Sequence, residues 1–335
     1  MVDILSTAGI ALAFAASFLV TFAATPIVGK VMRKHGITGK DVHKLTRKRL
    51  PEMCGLAILL GLTVGVVIYT AIFPNTLREA AAFIGAVLIA GAIGFVDDLH
   101  PLSARIKPLL TAGACVPILL LGTYDPFPII PFVGPVRFTI IYPFLIPVAL
   151  AVTSNAVNMM DVMNGAMAGT VSVISAVITA ILLFTGRTGT AALAAGLLAA
   201  LMAFYYFNRY PAKVFDGDTG SLAVGAALGT LAILGRIETV VVVALIPHIM
   251  NAFYGLASVG RLYERREIRQ RPIKLLRNGD LQASDGGRAP ITLARIILAA
   301  GPLGEKEISR AMIVLTLISS ILAALTFGIT LVGKI

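Results

Sequence analysis

The chain has 335 residues, of which 57% are hydrophobic and only 13% charged, with a mean hydropathy of +0.90. A water-soluble globule is about half apolar and a quarter charged, so this composition describes a polytopic membrane protein. The 28 Lys and Arg against 17 Asp and Glu leave a net charge of +11; in a membrane protein such charge sits in loops, where it sets orientation and meets anionic lipid or substrate, and no nucleic acid partner is expected.

A spanning helix needs about 20 mostly apolar residues. Such runs predict ten helices, at about 5–28, 53–73, 79–96, 108–122, 139–157, 166–185, 189–206, 219–235, 239–258 and 309–331. The first is kept as a helix because Asp3 is the only charge before it, without the basic start and small-residue cleavage site of a removable signal. Cys54 and Cys115 each open an apolar run and read as helix filler rather than a disulfide. Threading the ten helices alternately places loops of about 29–52, 97–107, 158–165, 207–218 and 259–308 on one face, and those loops hold 22 of the 28 Lys and Arg. Positive charge marks that face as cytoplasmic and puts both termini outside. The remaining connections are short, so residues 1–335 are read as a single all-α integral membrane domain. The stretch Asp125–Arg137, with four prolines, is predicted to be a short extracytoplasmic hairpin or an extended cover rather than a helix.

Polar residues collect at the cytoplasmic ends. Asp97 and Asp98 close an apolar helix, where the macrodipole opposes negative charge, and Arg105 and Lys107 follow. Two adjacent acids there require a cation or a basic partner, although an ordinary pair of helix-end charges has the same sequence. Asn155 and Asn158 share a helical face that Asp161 continues. Carboxamides at a membrane helix end suit a phosphate, a sugar or a metal, and equally a neighbouring helix. The segment from Asn208 to Ser221 ends in Asp218-Thr219-Gly220-Ser221 at a predicted helix start, where backbone N–H groups receive an anion or Asp218 serves as a plain cap. Five arginines, Arg261, Arg265, Arg266, Arg269 and Arg271, crowd one stretch of the last loop and are suited to anionic headgroups or a diphosphate.

Four such groups from separate helices converge on one face. Oxygen ligands without a histidine or cysteine cluster select Mg²⁺ or Mn²⁺, and a metal beside basic groups at a bilayer surface points to phosphoryl transfer from a soluble donor to a lipid acceptor. An ion-coupled transporter is the first alternative, but its acids would lie at mid-membrane and an internal repeat would be expected. An intramembrane aspartyl protease, built on Asp97 and Asp218, would leave the asparagines and arginines without a role.

From about residue 36 to 272 the chain resembles the polyprenyl-phosphate N-acetylhexosamine-1-phosphate transferases. The resemblance rests on Gly39-Lys-Asp-Val-His-Lys44 with Pro51-Glu52, Gly94-Phe-Val-Asp97-Asp98 with Arg105 and Lys107, Asn155-Ala-Val-Asn158, and Tyr210-Pro211 with Val214-Phe-x-Gly-Asp218-Thr219, in that order. The wording is similar to the eukaryotic UDP-GlcNAc:dolichyl-phosphate branch, while Asp161 and Thr219-Gly-Ser-Leu222 resemble the bacterial one, a mixture that implies an archaeal enzyme in a prokaryotic cell membrane. Arg269-Gln-Arg271-Pro272 resembles an Arg-His-Arg of the eukaryotic branch, with Gln270 at the histidine.

The implied reaction moves a sugar 1-phosphate, GlcNAc-1-phosphate foremost, from a UDP-sugar to a polyprenyl or dolichyl phosphate and releases UMP, as the first membrane step of lipid-linked glycan assembly. By the resemblance Asn158 and Asp218 ligate Mg²⁺ or Mn²⁺, Asp97 and Asp98 flank the metal and the acceptor phosphate with one of them a candidate base, and Lys107 holds phosphate. Lys44, Lys48, Glu52, Asn155, Asp161, Asn208, Arg269 and Arg271 are expected to bind substrates, and a homodimer is left open. Direct attack and a phospho-enzyme are both compatible with these residues.

Overall fold

A computed structural model of the chain describes residues 4–263 and 267–332; Arg265 and Arg266 lie outside the described residues. The helices in order are α1 (Ile4–Lys34), α2 (Leu56–Ile72), α3 (Leu77–Leu99), α4 (Ile106–Ala112), α5 (Val116–Leu121), α6 (Tyr142–Met160), α7 (Ala166–Phe184), α8 (Thr188–Asn208), α9 (Gly217–Gly235), α10 (Glu238–Ala244), α11 (Ile246–Val259), α12 (Leu293–Ile297) and α13 (Glu305–Val332). Each of the ten apolar runs is helical, but not all to spanning length. Among the described residues seven helices are long and apolar enough to cross a membrane, and α10 with α11 makes an eighth if that pair is one span. Leu56–Ile72 and Ile106–Leu121 are shorter.

The differences from the sequence reading have local causes. Helix α1 runs six residues past its apolar stretch, because Arg33 and Lys34 in its last turn complement the dipole and can reach water. The run at 239–258 is bent by 63°, with Pro247 just inside α11. Proline has no N–H to bond back to the Val243 carbonyl and its ring crowds the preceding turn, so the ladder breaks there. The long loop after α11 carries structure of its own, namely α12 and a hairpin of β5 (Ile273–Leu275) and β6 (Leu281–Ala283). The proline-rich segment forms the expected hairpin, β3 (Ile129–Ile130) with β4 (Gly134–Pro135). A third hairpin, β1 (Thr38–Lys40) with β2 (Arg49–Pro51), follows α1.

Helix α9 is the axis of the molecule: every residue from Thr219 to Gly235 is buried, and α2, α3, α6, α8 and α10 pack around it. Small residues permit this, since lipid tails give no hydrophobic drive between helices and close backbone approach supplies the packing. A Cβ at Gly225 or Gly229 would strike Thr153 and Ser154 of α6, and a Cβ at Gly61 or Gly65 of α2 would strike Thr21 and Ser17 of α1. Both are Gly-xxx-Gly pairs, a signal present in the sequence. Cys54 and Cys115 are buried and free, as filler should be.

Candidate active site

The site forms where the C-terminal end of α3 meets the N-terminal end of α9. Gly94 sets that approach: a Cβ on it would run into the Asp218 carbonyl and the Thr219 nitrogen. With α3 drawn in this far, the two adjacent acids separate into different tasks. Asp98 accepts from the Asp218 N–H at 2.8 Å, the Thr219 N–H at 2.9 Å and the Thr219 hydroxyl at 2.6 Å. It therefore caps α9 from another helix, supplying the acceptor that the free N–H groups of a helix start require. Gly217, at φ +72° against the Asp98 carboxylate, makes the turn that admits it. The anion expected at this helix start is thus the protein's own.

Asp97 faces the other way. Its Oδ1 accepts from the Leu102 N–H at 2.6 Å, and its Oδ2 lies 2.5 Å from Lys107 Nζ. The same ammonium reaches Asp218 Oδ2 at 2.7 Å. Asn158 of α6 donates to Asp218 Oδ1 at 2.8 Å and to Ser221 Oγ at 2.8 Å. Asp97, Lys107, Asn158 and Asp218 are thereby one cluster, with Asp97 and Lys107 almost wholly buried. Asn155, one turn back on α6, donates to Thr111 and to the Ala151 carbonyl, bracing α4 beside Lys107.

Three carboxylates, one ammonium and a helix N-terminus worth about half a charge leave this buried cluster net negative. That deficit, and an all-oxygen donor set, fit a hard divalent cation. Among the described residues no three His, Cys, Asp or Glu groups converge in metal-holding geometry, because Asp98 is engaged by α9. The donors that remain are Asp218, Asp97 and the Asn158 amide oxygen. Mg²⁺ commonly takes one or two carboxylates and completes its shell with water and substrate phosphates.

A second cluster lies beside the first. Lys44 forms ion pairs with Asp41 and, at 3.1 Å, with Glu305, and its Nζ sits 4.9 Å from the Tyr210 ring centroid. Asn164 donates its N–H to Glu305 at 2.9 Å, and Ser309 donates to the Asn164 carbonyl at 3.0 Å, so the start of α13 is tied to the turn after α6. Between the clusters, Asp216 is buried facing Asp161; burial first, and then the charge of Asp161, holds its carboxyl well above the usual range. Backbone bonds from Phe215 N–H to Pro51, Cys54 N–H to Phe215 and Gly55 N–H to Asp216 stitch the β1–β2 hairpin to the segment entering α9.

Among the residues singled out in the sequence, Asn208 is buried and donates to the Val214 carbonyl, which shapes that same segment. Glu52 lies against Gly39 within the first hairpin. Lys48, Arg269 and Arg271 are exposed, and neither arginine has a side-chain partner among the described residues. Gln270 accepts from the Arg288 N–H at 3.3 Å, which closes the loop over β5 and β6. Asp41, Asn164, Asp216, Ser221 and Glu305 went unselected. Asp41, Asp216 and Ser221 stand within strings already singled out and Asn164 within the 158–165 loop, whereas Glu305 has no signal beyond being an acid at a helix start.

Residues 80–236, which span α3 to α9, match the family model described as Glycosyl transferase family 4. A Sulfolobus acidocaldarius protein provisionally named a UDP-N-acetylglucosamine–dolichyl-phosphate N-acetylglucosaminephosphotransferase is 30% identical over 255 residues, covering 74% of this chain and 78% of that one. Its counterpart by name in Saccharolobus solfataricus is 31% identical over 262 residues, 74% of this chain and 81% of the other. A Bacillus subtilis protein provisionally named an undecaprenyl-phosphate N-acetylglucosaminyl 1-phosphate transferase is 31% identical over 268 residues, 79% and 74% of the two chains.

Proposed function

This chain belongs to glycosyl transferase family 4, with the polyprenyl-phosphate hexosamine-1-phosphate transferases it matches, and from that premise we propose that it transfers N-acetylglucosamine 1-phosphate from UDP-N-acetylglucosamine to a dolichyl or related polyprenyl phosphate. An acceptor phosphate oxygen forms a bond to the β-phosphorus of the donor, the bond from that phosphorus to the bridging oxygen breaks, and UMP leaves with the electron pair. The observation that carries the reading is Lys107 held between Asp97 and Asp218 next to the capped start of α9.

Phosphoryl transfer through a loose transition state asks mainly for positioning and charge neutralisation. Lys107 supplies a fixed ammonium for phosphate oxygens. Asp97 and Asp218 hold that ammonium in place and, with Asn158, would hold Mg²⁺ or Mn²⁺, which when bound neutralises charge on the donor diphosphate. An acceptor phosphate monoester is largely ionised near pH 7, so no strong base is needed. Asp98 is saturated by three donors, and Asp97 is bound to Lys107 and Leu102. Neither is a free nucleophile, which favours direct attack over a phospho-enzyme.

The isoprenoid tail must remain in lipid, since each buried CH₂ is worth about 0.8 kcal/mol. A cavity of about 300 Å³ between α3 and α4, lined by Ile89, Ile93, Val96, Leu102 and Leu110, is wholly apolar, and its Leu102 donates its N–H to Asp97. It suits the first isoprene units of an acceptor that enters sideways. The excess of Lys and Arg beside the site supports a cytoplasmic active face in a prokaryotic cell membrane, with both termini outside. The product would open a lipid-linked glycan pathway. Incubating purified protein with radiolabelled UDP-N-acetylglucosamine, a polyprenyl phosphate and Mg²⁺, then extracting lipid, tests the proposal: label in the organic phase is expected, and its absence with every polyprenyl phosphate tried refutes it.

A further inference from the structure

A cavity of about 420 Å³ opens between the C-terminal end of α8 and the first turns of α13, and it shares no lining residue with the Asp97–Lys107–Asp218 cluster. Its lining includes Arg209, Lys213, Lys306 and Arg310, and no acid lines it. None of the four cations is in an ion pair among the described residues. Two of them flank one aromatic ring, with the Arg209 guanidinium 5.3 Å and the Lys213 ammonium 5.2 Å from the centroid of Tyr206. Four cations without an ion-pair partner around one cavity repel, and the ring quadrupole only partly offsets that repulsion. An anion in the cavity would remove it.

The position indicates where the anion comes from. Arg209 caps an apolar helix, and Tyr206, Met202 and Phe22 are exposed just below it on α8 and α1, the belt expected at a bilayer–water boundary. Basic pockets between membrane helices on the cytoplasmic side take phosphate-bearing headgroups. We propose that this cavity binds a phosphate ester at the membrane surface, the headgroup of an anionic phospholipid whose tails lie along Tyr206, Met202 and Phe22. Asn164 forms part of its wall and is bonded to Glu305, the partner of Lys44. Occupancy therefore also braces the turn that joins α6 to α7. The inference concerns a site apart from the transfer reaction and does not depend on it.

The test compares full-length wild type, the double variant Arg209→Gln/Arg310→Gln, and the double variant Arg277→Gln/Arg288→Gln, which removes the same charge from the β5–β6 hairpin and the loop beyond it. Each is delipidated in neutral detergent, titrated with phosphatidylglycerol, and read by native mass spectrometry and by the rise in melting temperature. Wild type and the Arg277/Arg288 variant are expected to retain phosphatidylglycerol equally, and the Arg209/Arg310 variant at least tenfold more weakly, with its lipid-free melting temperature unchanged. A parallel titration with inorganic phosphate separates the sources: no displacement of the lipid at millimolar phosphate supports a headgroup held with its tails, and full displacement supports a free phosphate ester. Equal lipid retention by all three proteins, with inorganic phosphate binding none of them, would overturn the site.

Discussion

Asp97 and Asp98 are neighbours in sequence, yet about 100° of helix rotation sends one carboxylate to Lys107 and the other to the start of α9. An amide at position 98 would turn an N–H₂ toward donors that need an acceptor. Asp98→Asn is therefore expected to lower stability by about 1–3 kcal/mol as well as activity, while Asp218→Asn removes nearly all activity, by a factor of about 100 or more, with a smaller loss of melting temperature, since Lys107 keeps its pair with Asp97. Thermal unfolding run beside turnover separates the two. Lys107→Met leaves the buried Asp97 carboxylate facing the partly exposed one of Asp218, a loss of about 3 kcal/mol at the low end for a buried pair; adding Asp97→Asn should restore part of the melting temperature and none of the turnover. If the double variant melts no higher than Lys107→Met, the ion pairs at 2.5 and 2.7 Å do not carry the stability assigned to them. The acids were legible in the sequence as a pair, but which one serves α9 was not, because its partners lie 120 and 121 residues away.

The approach of α3 to α9 is what turns these side chains into a site. Gly94→Ala would push α3 away from the Asp218 carbonyl, and a displacement of about 1 Å is enough to cost a hundredfold in rate. We expect kcat to fall that far while the protein still purifies as a folded monodisperse species; wild-type kcat would show that the contact is slack. At this scale the sequence was informative about existence and poor about ends. Apolar runs marked every long helix, but α12 fell inside the predicted 259–308 loop, and the run at 239–258 read as one helix because its constant hydrophobicity concealed the break before Pro247. The hairpins β1–β2 and β5–β6 were invisible, because strands of three residues have no period to detect.

For the whole molecule, the charge excess on one face predicts orientation. Cys54 and Cys115 are buried, so an introduced cysteine is read against a silent background. Val133→Cys, in the exposed β3–β4 hairpin, should react with a membrane-impermeant maleimide in intact cells, and Lys274→Cys only after lysis; the reverse pattern would invert the topology. Excess EDTA should abolish turnover and added Mg²⁺ or Mn²⁺ restore it, since the cluster is left net negative without a cation. The family and its reaction could be read from ordered motifs because catalytic side chains cannot be exchanged, whereas the clustering of Lys44 with Glu305 depends on how the last helix docks and has no local signature.

The central claim is that the phosphate travels with the sugar. UDP-N-acetylglucosamine labelled with ³²P at the β-phosphate and ³H in the sugar, incubated with the protein, a polyprenyl phosphate and Mg²⁺, should give a lipid product carrying both labels in equal proportion, with unlabelled UMP released. A lipid carrying ³H without ³²P, with labelled UDP left in the aqueous phase, would contradict it.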